Sequence, residues 1–293
     1  MTDALERLVA QLDNDALLLE PAQLRQRLEA LDILDAHFPD TSQPASVIEP
    51  NTAALQRRAS GIRIRLEAAN HEFYKAIRSE IQRGSQPDTL LRWTRSPAAM
   101  EDATEPVNGI GYDYLDELIS GVFQFEEPNA ESVQHDSEIV FYQPTPARHI
   151  FSLISLTALT SADVLIDLGS GLGHVPLLVS ACTPAHSIGI EMEAAYVERA
   201  RQCAQQLNLN QATFIHQDVR DADLSIGTVF YLYTPFTGSI LRQVLNHLRR
   251  EAATHPIKIC TYGPCTSVIA EESWLEASAA PATNRVTLFR SRS

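Results

Sequence analysis

The stretch Val164-Leu-Ile-Asp-Leu-Gly-Ser-Gly-Leu-Gly173 decides the reading of this chain, because an apolar run there stops in an acid and three closely spaced glycines. Val164 to Leu168 shows no polar alternation, the pattern of a parallel strand covered on both faces. Glycines at 169, 171 and 173 let the backbone take positive φ and let a ligand approach where a Cβ would collide. A helix is expected directly afterwards, from His174 to Cys182. The glycine spacing is tighter than the phosphate-binding G-x-G-x-x-G, and no Gly-Lys-Ser/Thr follows that could hold a triphosphate and its magnesium.

The continuation repeats the same grammar. His186-Ser-Ile-Gly-Ile-Glu191 is a second short apolar strand ending in an acid, before a helix from Ala194 to Leu207. Ala212-Thr-Phe-Ile-His-Gln-Asp218 is a third, and Thr228 to Pro235 a fourth that runs into Tyr233-Thr-Pro-Phe236. Gly238 to Glu251 reads as a helix whose Ile240, Leu241, Val244, Leu245 and Leu248 face the sheet. Ile257 to Tyr262 is a fifth strand, and Trp274 to Ala277 with Arg285 to Phe289 supply a final antiparallel pair. In open parallel sheets ligands gather beyond the carboxyl ends of the strands, which is where Asp167, Glu191, Asp218 and Thr234 all fall.

This series resembles the class I S-adenosylmethionine-dependent methyltransferases over roughly the second half of the chain. The resemblance implies a Rossmann-like α/β fold, with a mostly parallel seven-stranded sheet preceded by an all-helical N-terminal region. Asp167-Leu-Gly-Ser-Gly-Leu-Gly173 looks like the family's first motif, Glu191 like its ribose acid and Asp218 like its adenine-contacting acid. The implied cofactor contacts are Asp167, Gly169, Ser170, Gly171, Gly173, Glu191, Asp218 and Val219. The cofactor would be S-adenosyl-L-methionine, with S-adenosyl-L-homocysteine as product and no metal. Tyr233-Thr-Pro-Phe236 occupies the place of the substrate-side motif, so Tyr233, Thr234 and Phe236 are the candidate catalytic residues. Phe141-Tyr-Gln-Pro-Thr-Pro146 and the form of the fourth strand are faintly similar to the non-SET histone lysine methyltransferases. Where amino-group methyltransferases carry Asn or Asp, this chain has Thr234, which leaves an O or an N acceptor open.

Composition narrows the partners. The 293 residues carry a formal net charge of -14, which argues against a nucleic-acid partner gripped through its phosphates. Cys182, Cys203, Cys260 and Cys265 form no C-x-x-C pair, so they read as reduced, partly buried thiols, and a cytoplasmic setting follows. No apolar stretch reaches the ~20 residues needed to cross a bilayer. A small-molecule acceptor ranks first, a protein substrate second and a non-catalytic binding module third.

The first part of the chain reads as helical throughout, so the expected division is 1–127, a cap, lid or dimerisation region, and 128–293, the cofactor-binding domain. Helices are expected over Asp3 to Leu19, Pro21 to Phe38, Thr52 to Gln82, around Leu90 to Trp93, and over Tyr112 to Phe125. On the second of these the stripe is Leu24, Leu28, Leu31 and Leu34. Arg57, Arg58, Arg63, Arg65, Lys75, Arg78 and Arg83 make the third helix basic; a solvated face paired with Glu67, Glu72 and Glu80 accounts for them. Ser96 to Gly111 reads as a loop and Asn129 to Gln143 as a hinge. Tyr142, Gln143 and Thr145 would then lie near the methionine end of the cofactor. Alternatively, Pro144-Thr-Pro146 caps a helix over Ala147 to Leu159. Tyr233, Tyr262, His174 and the hinge carboxylates are the candidate bases.

Overall fold

The computed structural model describes residues 2–39, 50–84, 90–92, 111–125, 128 and 137–292. They fall into two compact units, Met1–Ile77 and Arg78–Ser293.

In the first unit, α1 (Thr2–Asn14) and α2 (Leu24–His37) accompany the greater part of α3 (Pro50–Gln82). The expected first helix ends at Asn14 rather than Leu19, because the Asp15 carboxylate accepts the Leu17 N–H and starts a short 3-10 turn, Ala16–Leu19. That turn sends Leu18 inward with Val9, Ala30, Leu34, Ile62 and Leu66. The stripe of α2 includes a charge: Arg27 is fully buried and donates to the Asn70 side chain, to Leu18 O at 2.6 Å and to Glu20 O at 2.9 Å. Its methylenes and guanidinium fill a core position that a leucine pattern does not reveal. On α3, Arg58 and Arg65 reach Asp13 at 3.3 and 3.2 Å, and Arg63 reaches Asp35 at 2.7 Å. Arg58, Arg63 and Arg65 are thus paired with α1 and α2, while Lys75 pairs within α3 with Glu72 at 3.7 Å.

The second unit is built on seven strands in the order β3-β2-β1-β4-β5-β7-β6. These are β1 (Val164–Leu168), β2 (His186–Glu191), β3 (Ala212–His216), β4 (Val229–Leu232), β5 (Lys258–Thr261), β6 (Leu275–Ala277) and β7 (Thr287–Ser291). The first five pair in parallel; β7 runs antiparallel to both β5 and β6. Among the described residues this unit has the last turn of α3 and the helices α4 (Tyr114–Phe123), α5 (Ala147–Thr157), α6 (His174–Cys182), α7 (Ala194–Gln206), α8 (Gly238–Ala252) and α9 (Cys265–Ala270). The apolar face of α8 packs Ile240, Leu241 and Val244 against Ile166, Phe230 and Leu232 of the sheet.

Local chemistry explains where the elements depart from expectation. β4 stops at Leu232 and not Pro235, because Thr234 adopts φ 41° and leaves the ladder. α9 was not expected; its six residues follow a turn at Gly263 and carry too short a pattern to be seen. Asp116 joins α4 to α5 by accepting the N–H of Asp113 at 2.7 Å and of Ala147 at 2.8 Å. Arg78 donates to Val122 O at 2.7 Å and to the Gln206 side chain at 2.8 Å. The compact unit around the sheet therefore begins at Arg78, whereas the sequence reading divides the chain at residue 127. Of the expected helix around Leu90, residues 90–92 are helical; Trp93, the loop from Ser96 to Ile110 and the hinge residues 129–136 lie outside the described residues. Among the described residues no helix is long and apolar enough to cross a membrane. All four cysteines are free and buried.

Candidate active site

A cavity of about 690 Å³ opens at the carboxyl ends of β1, β2 and β4, and it draws its walls from the glycine loop, the acids after β2 and β3, the turn after β4 and the lead-in segment before α5. Its position is set by topology. Chain order reverses between β1 and β4, so the loops that follow these strands diverge and leave a crevice.

The floor is the glycine loop. Gly169 and Ser170 both donate to Ile190 O, at 2.9 and 3.0 Å, which ties the loop to β2. Gly169 has φ 91°, and a Cβ there would collide with Pro235, so the loop after β1 and the turn after β4 touch directly. Gly171 has φ 52°, and a Cβ there would run into the ring of Tyr142. The demand for glycine at 171 thus comes first from a side chain of the protein, a contact that the motif alone does not disclose.

Two polar groups on this floor stand without protein partners. Ser170 Oγ is buried and makes no hydrogen bond. Asp167 is 4% exposed, and its carboxyl has no hydrogen-bond partner among the described residues. Burial, and then the charge of Glu191, pushes that carboxyl well above the usual carboxylate range. Glu191 itself is organised: one oxygen accepts Gly171 N at 2.8 Å, and the other accepts Met192 N at 2.7 Å and Glu193 N at 2.9 Å. The acid that ends β2 therefore holds the glycine loop in shape, with about one of its four lone pairs left for a ligand, on the oxygen that accepts Gly171 N.

Asp218, the acid after β3, is engaged differently. It accepts from Arg220 N at 2.9 Å and from the Arg220 guanidinium at 2.6 Å, and that side chain holds its carboxyl below the usual range. Arg220 lines the cavity beside Val219, and its spacing of two residues from Asp218 is the only signal by which the sequence could have pointed to it. A ligand edge arriving at Asp218 meets this ion pair.

The lead-in segment crosses the cavity as a strap and is held along its length. Glu138 accepts Ser239 N at 2.9 Å, Ser239 Oγ at 2.7 Å and Ile240 N at 3.0 Å, so its carboxylate caps the start of α8. Ile139 bridges Phe236 in antiparallel fashion, and Val140 donates to Pro235 O at 3.0 Å. Tyr142 lies over Gly171, its ring 5.0 Å from that of Tyr196 and its hydroxyl 3.2 Å from His174 Nδ1. Thr145 Oγ1 meets Tyr231 OH at 3.1 Å. Tyr142 and Thr145 thus both line the cavity. His174, a candidate base in the sequence, is instead a fixture: burial pulls its imidazole down to about 3, its ring stacks on Phe125 at 3.6 Å, and it is engaged with Tyr142.

The turn after β4 closes the far wall. Tyr233 is half-buried, with its ring 4.6 Å from Tyr262, and burial pushes its phenol up to about 12. Thr234 donates from Oγ1 to Tyr262 O at 3.2 Å and accepts Cys265 N at 3.1 Å, so its hydroxyl is turned to the backbone before α9. A β-branched residue at positive φ is strained, and these two bonds hold it there. Phe236 lines the cavity while also packing at 4% exposure into the core beneath the sheet.

Comparison with known proteins places this geometry. Residues 159–255 match the model of a methyltransferase domain. No curated protein matches. Solved structures similar to this chain include an RNA methyltransferase from Salinibacter ruber in complex with S-adenosyl-L-homocysteine, at 24% identity and TM-score 0.39, covering 50% of this chain and 92% of that one. A precorrin 8W decarboxylase from Methanobacterium thermoautotrophicum is similar at 16% identity and TM-score 0.40, covering 52% and 93%. The Pyrococcus abyssi tRNA (uracil-54, C5)-methyltransferase in complex with S-adenosyl-L-homocysteine is similar at 16% identity and TM-score 0.38, covering 51% and 39%.

The groups on the cavity floor fit the cofactor of that family. The orphaned Ser170 hydroxyl and the unpartnered Asp167 carboxyl suit the amino-acid end of S-adenosylmethionine, and the remaining lone pair of Glu191 suits a ribose hydroxyl. With the motif series, the sheet order and the domain match in agreement, residues 159–255 form a methyltransferase domain of the class I, Rossmann-like kind that uses S-adenosylmethionine.

Proposed function

We propose that this enzyme methylates an oxygen or nitrogen of a small molecule held between the turn after β4 and the strap. The observation that carries this reading is that Tyr233 and Phe236 share one cavity with the glycine loop and Glu191, so acceptor and cofactor would meet within it. When bound, the cofactor supplies an electrophilic methyl on a sulfonium. The protein's part is then alignment: Glu191 and the glycine loop fix one reactant, Tyr233 and Phe236 the other. Near-attack placement of that kind is worth ~7–11 kcal/mol, so no strong catalytic dyad is required.

Within this proposal Asp167, Ser170, Glu191, Asp218 and Val219 contact the cofactor, Tyr142 and Thr145 close over it, and Tyr233, Thr234 and Phe236 form the acceptor wall. The helical region up to residue 127 serves as cap or dimerisation surface, and the free, buried thiols suit a cytoplasmic setting. The test is release of S-adenosylhomocysteine by the purified chain against fractionated metabolites, peptide arrays and RNA in parallel. Turnover confined to the metabolite fractions is the expected result. Labelling of lysine peptides would favour a protein methyltransferase, labelling of RNA a nucleic-acid acceptor, and cofactor binding with no turnover in any arm a non-catalytic module.

A further inference from the structure

Tyr142 is the strap residue that reaches the glycine loop. The strap is pinned on either side of it, where Val140 donates to Pro235 O at 3.0 Å and where Pro144 O accepts the Tyr112 hydroxyl at 2.6 Å. Between those points a Cβ on Gly171 would run into Cδ2 and Cε2 of the Tyr142 ring, so ring and loop backbone are in contact. The Gly171 N–H meanwhile donates to Glu191 at 2.8 Å. Gly171 is thus gripped twice, by the strap at its Cα and by the acid that ends β2 at its N–H.

His174 opens α6 directly after that loop, and it meets the strap from below the same tyrosine. Its Nδ1 stands 3.2 Å from the Tyr142 hydroxyl, and its ring stacks on Phe125 with centroids 3.6 Å apart and planes 24° from parallel. Phe125 in turn stacks on Phe123, the last residue of α4, at 5.5 Å. The imidazole is held from two directions, its face by the segment after α4 and its Nδ1 by the strap. Burial pulls it down to about 3, so at pH 7 it is neutral and carries one donor and one acceptor. A phenol can take either part, so both tautomers pair with Tyr142. So weak a base takes no proton from an acceptor. What the ring offers the site is its grip on Tyr142.

Resting on the methyltransferase reading above, we infer that His174 is a positioning residue for the cofactor: through its hydrogen bond to Tyr142 it seats the strap on the glycine loop and slows the ligand's escape. Tyr142 and His174 both line the cavity, so the contact between them is part of its wall. A phenol pinned at its far end has already lost the rotamer freedom that ordering it around a ligand would cost, and in that way the bond adds affinity. With the pin removed, the ring is free to swing off Gly171 while Glu191 still holds the loop. The wall then opens and the floor stays. Entry is not slowed, and departure is faster.

The experiment uses the full chain with S-adenosylhomocysteine as the probe. Calorimetry gives its affinity, and surface plasmon resonance its association and dissociation rates, for wild type, Tyr142→Phe, His174→Phe, the double variant and His174→Asn. Tyr142→Phe removes the hydroxyl alone; His174→Phe keeps a ring against Phe125 and removes the nitrogen; His174→Asn returns a polar atom near the place of Nδ1. Each single Phe variant should weaken binding about two- to tenfold, the worth of one net hydrogen bond, and the loss should lie in faster dissociation. The double variant should bind no more weakly than the weaker single one, because both changes remove the same bond. His174→Asn should recover part of what His174→Phe loses. Losses that multiply in the double variant, a loss carried by slower association, His174→Asn as weak as His174→Phe, or indifference to Tyr142→Phe each overturns the inference while leaving the methyltransferase reading in place. Should the His174 variants not fold, the dissociation rate of Tyr142→Phe decides alone, faster supporting the inference and unchanged overturning it. Failure of S-adenosylhomocysteine to bind the wild-type chain overturns the reading beneath it.

Discussion

Single residues in this cavity carry two duties, and substitutions expose both. Glu191 accepts three backbone N–H groups and keeps about one lone pair for a ligand, so Glu191→Ala removes a charged acceptor from the loop and from the ribose position together. Hydrogen bonds to a charged group are worth roughly 1.5–3 kcal/mol, so calorimetry should show affinity for S-adenosylhomocysteine lowered at least tenfold, with a lower melting temperature as well. Gly171→Val strikes Tyr142 before it strikes any ligand. Its effect on affinity should therefore be smaller in a Tyr142→Ala background than alone, and a double-mutant cycle measures the coupling. Equal losses in both backgrounds would mean that the ligand, not the tyrosine, demands glycine there. Thr234→Ala, which the missing carboxamide would suggest to be mild, leaves Cys265 N without its bond and Tyr262 O with only the weak Cys265 thiol donor, while the positive φ persists. A loss of about 1–3 kcal/mol in denaturant unfolding is expected, with Thr234→Ser restoring most of it.

At the level of elements, the strap is the piece whose role depends on its anchors. One end is held by Glu138 at the start of α8, the other by Thr145 at Tyr231, and Tyr142 sits between them on the glycine loop. Hydrogen bonds from Ser239 and Ile240 hold the Glu138 carboxyl below its ordinary value of 4.5. A carboxyl depressed by folding contributes stability above its unfolded value and loses it as pH falls through the folded one. The melting temperature of Glu138→Gln should therefore lie below wild type at neutral pH, and the gap should close as pH falls below about 4.5. A gap that is the same at pH 7 and pH 3 would show that the charge of Glu138 is not what holds the strap. The same pairing explains why Phe236 is both wall and core: its bridge to Ile139 holds it beside the strap, where it lines the cavity while packing in the core with Ile240 and Leu241.

For the whole molecule, the division into Met1–Ile77 and Arg78–Ser293 puts every lining residue of the cavity in the second unit. A ligand that binds only the folded second unit stabilises it by about 2.7 kcal/mol at a hundredfold excess over its dissociation constant. Differential scanning calorimetry with saturating S-adenosylhomocysteine should thus raise one transition and leave a second, belonging to the first unit, in place; a single transition that moves as a whole would contradict that. The sequence by itself determined the parallel strands, the glycine loop and the acids after β2 and β3, because a strand buried on both faces must be a continuous apolar run and a ligand loop must follow it. It also pointed to a methyltransferase domain, whose model residues 159–255 match. Only the tertiary structure decided what each of these residues touches. Tyr142 on Gly171, Pro235 against Gly169, Arg220 across Asp218 and Arg27 inside the first unit all follow from packing between segments distant or irregular in sequence, for which no periodicity exists. The turn after β4 is the plainest case. Its four residues read as strand and motif, yet the positive φ of Thr234 is held by backbone some thirty positions further on, at Tyr262 and Cys265, and no local pattern encodes a bond that only the closed sheet brings within reach.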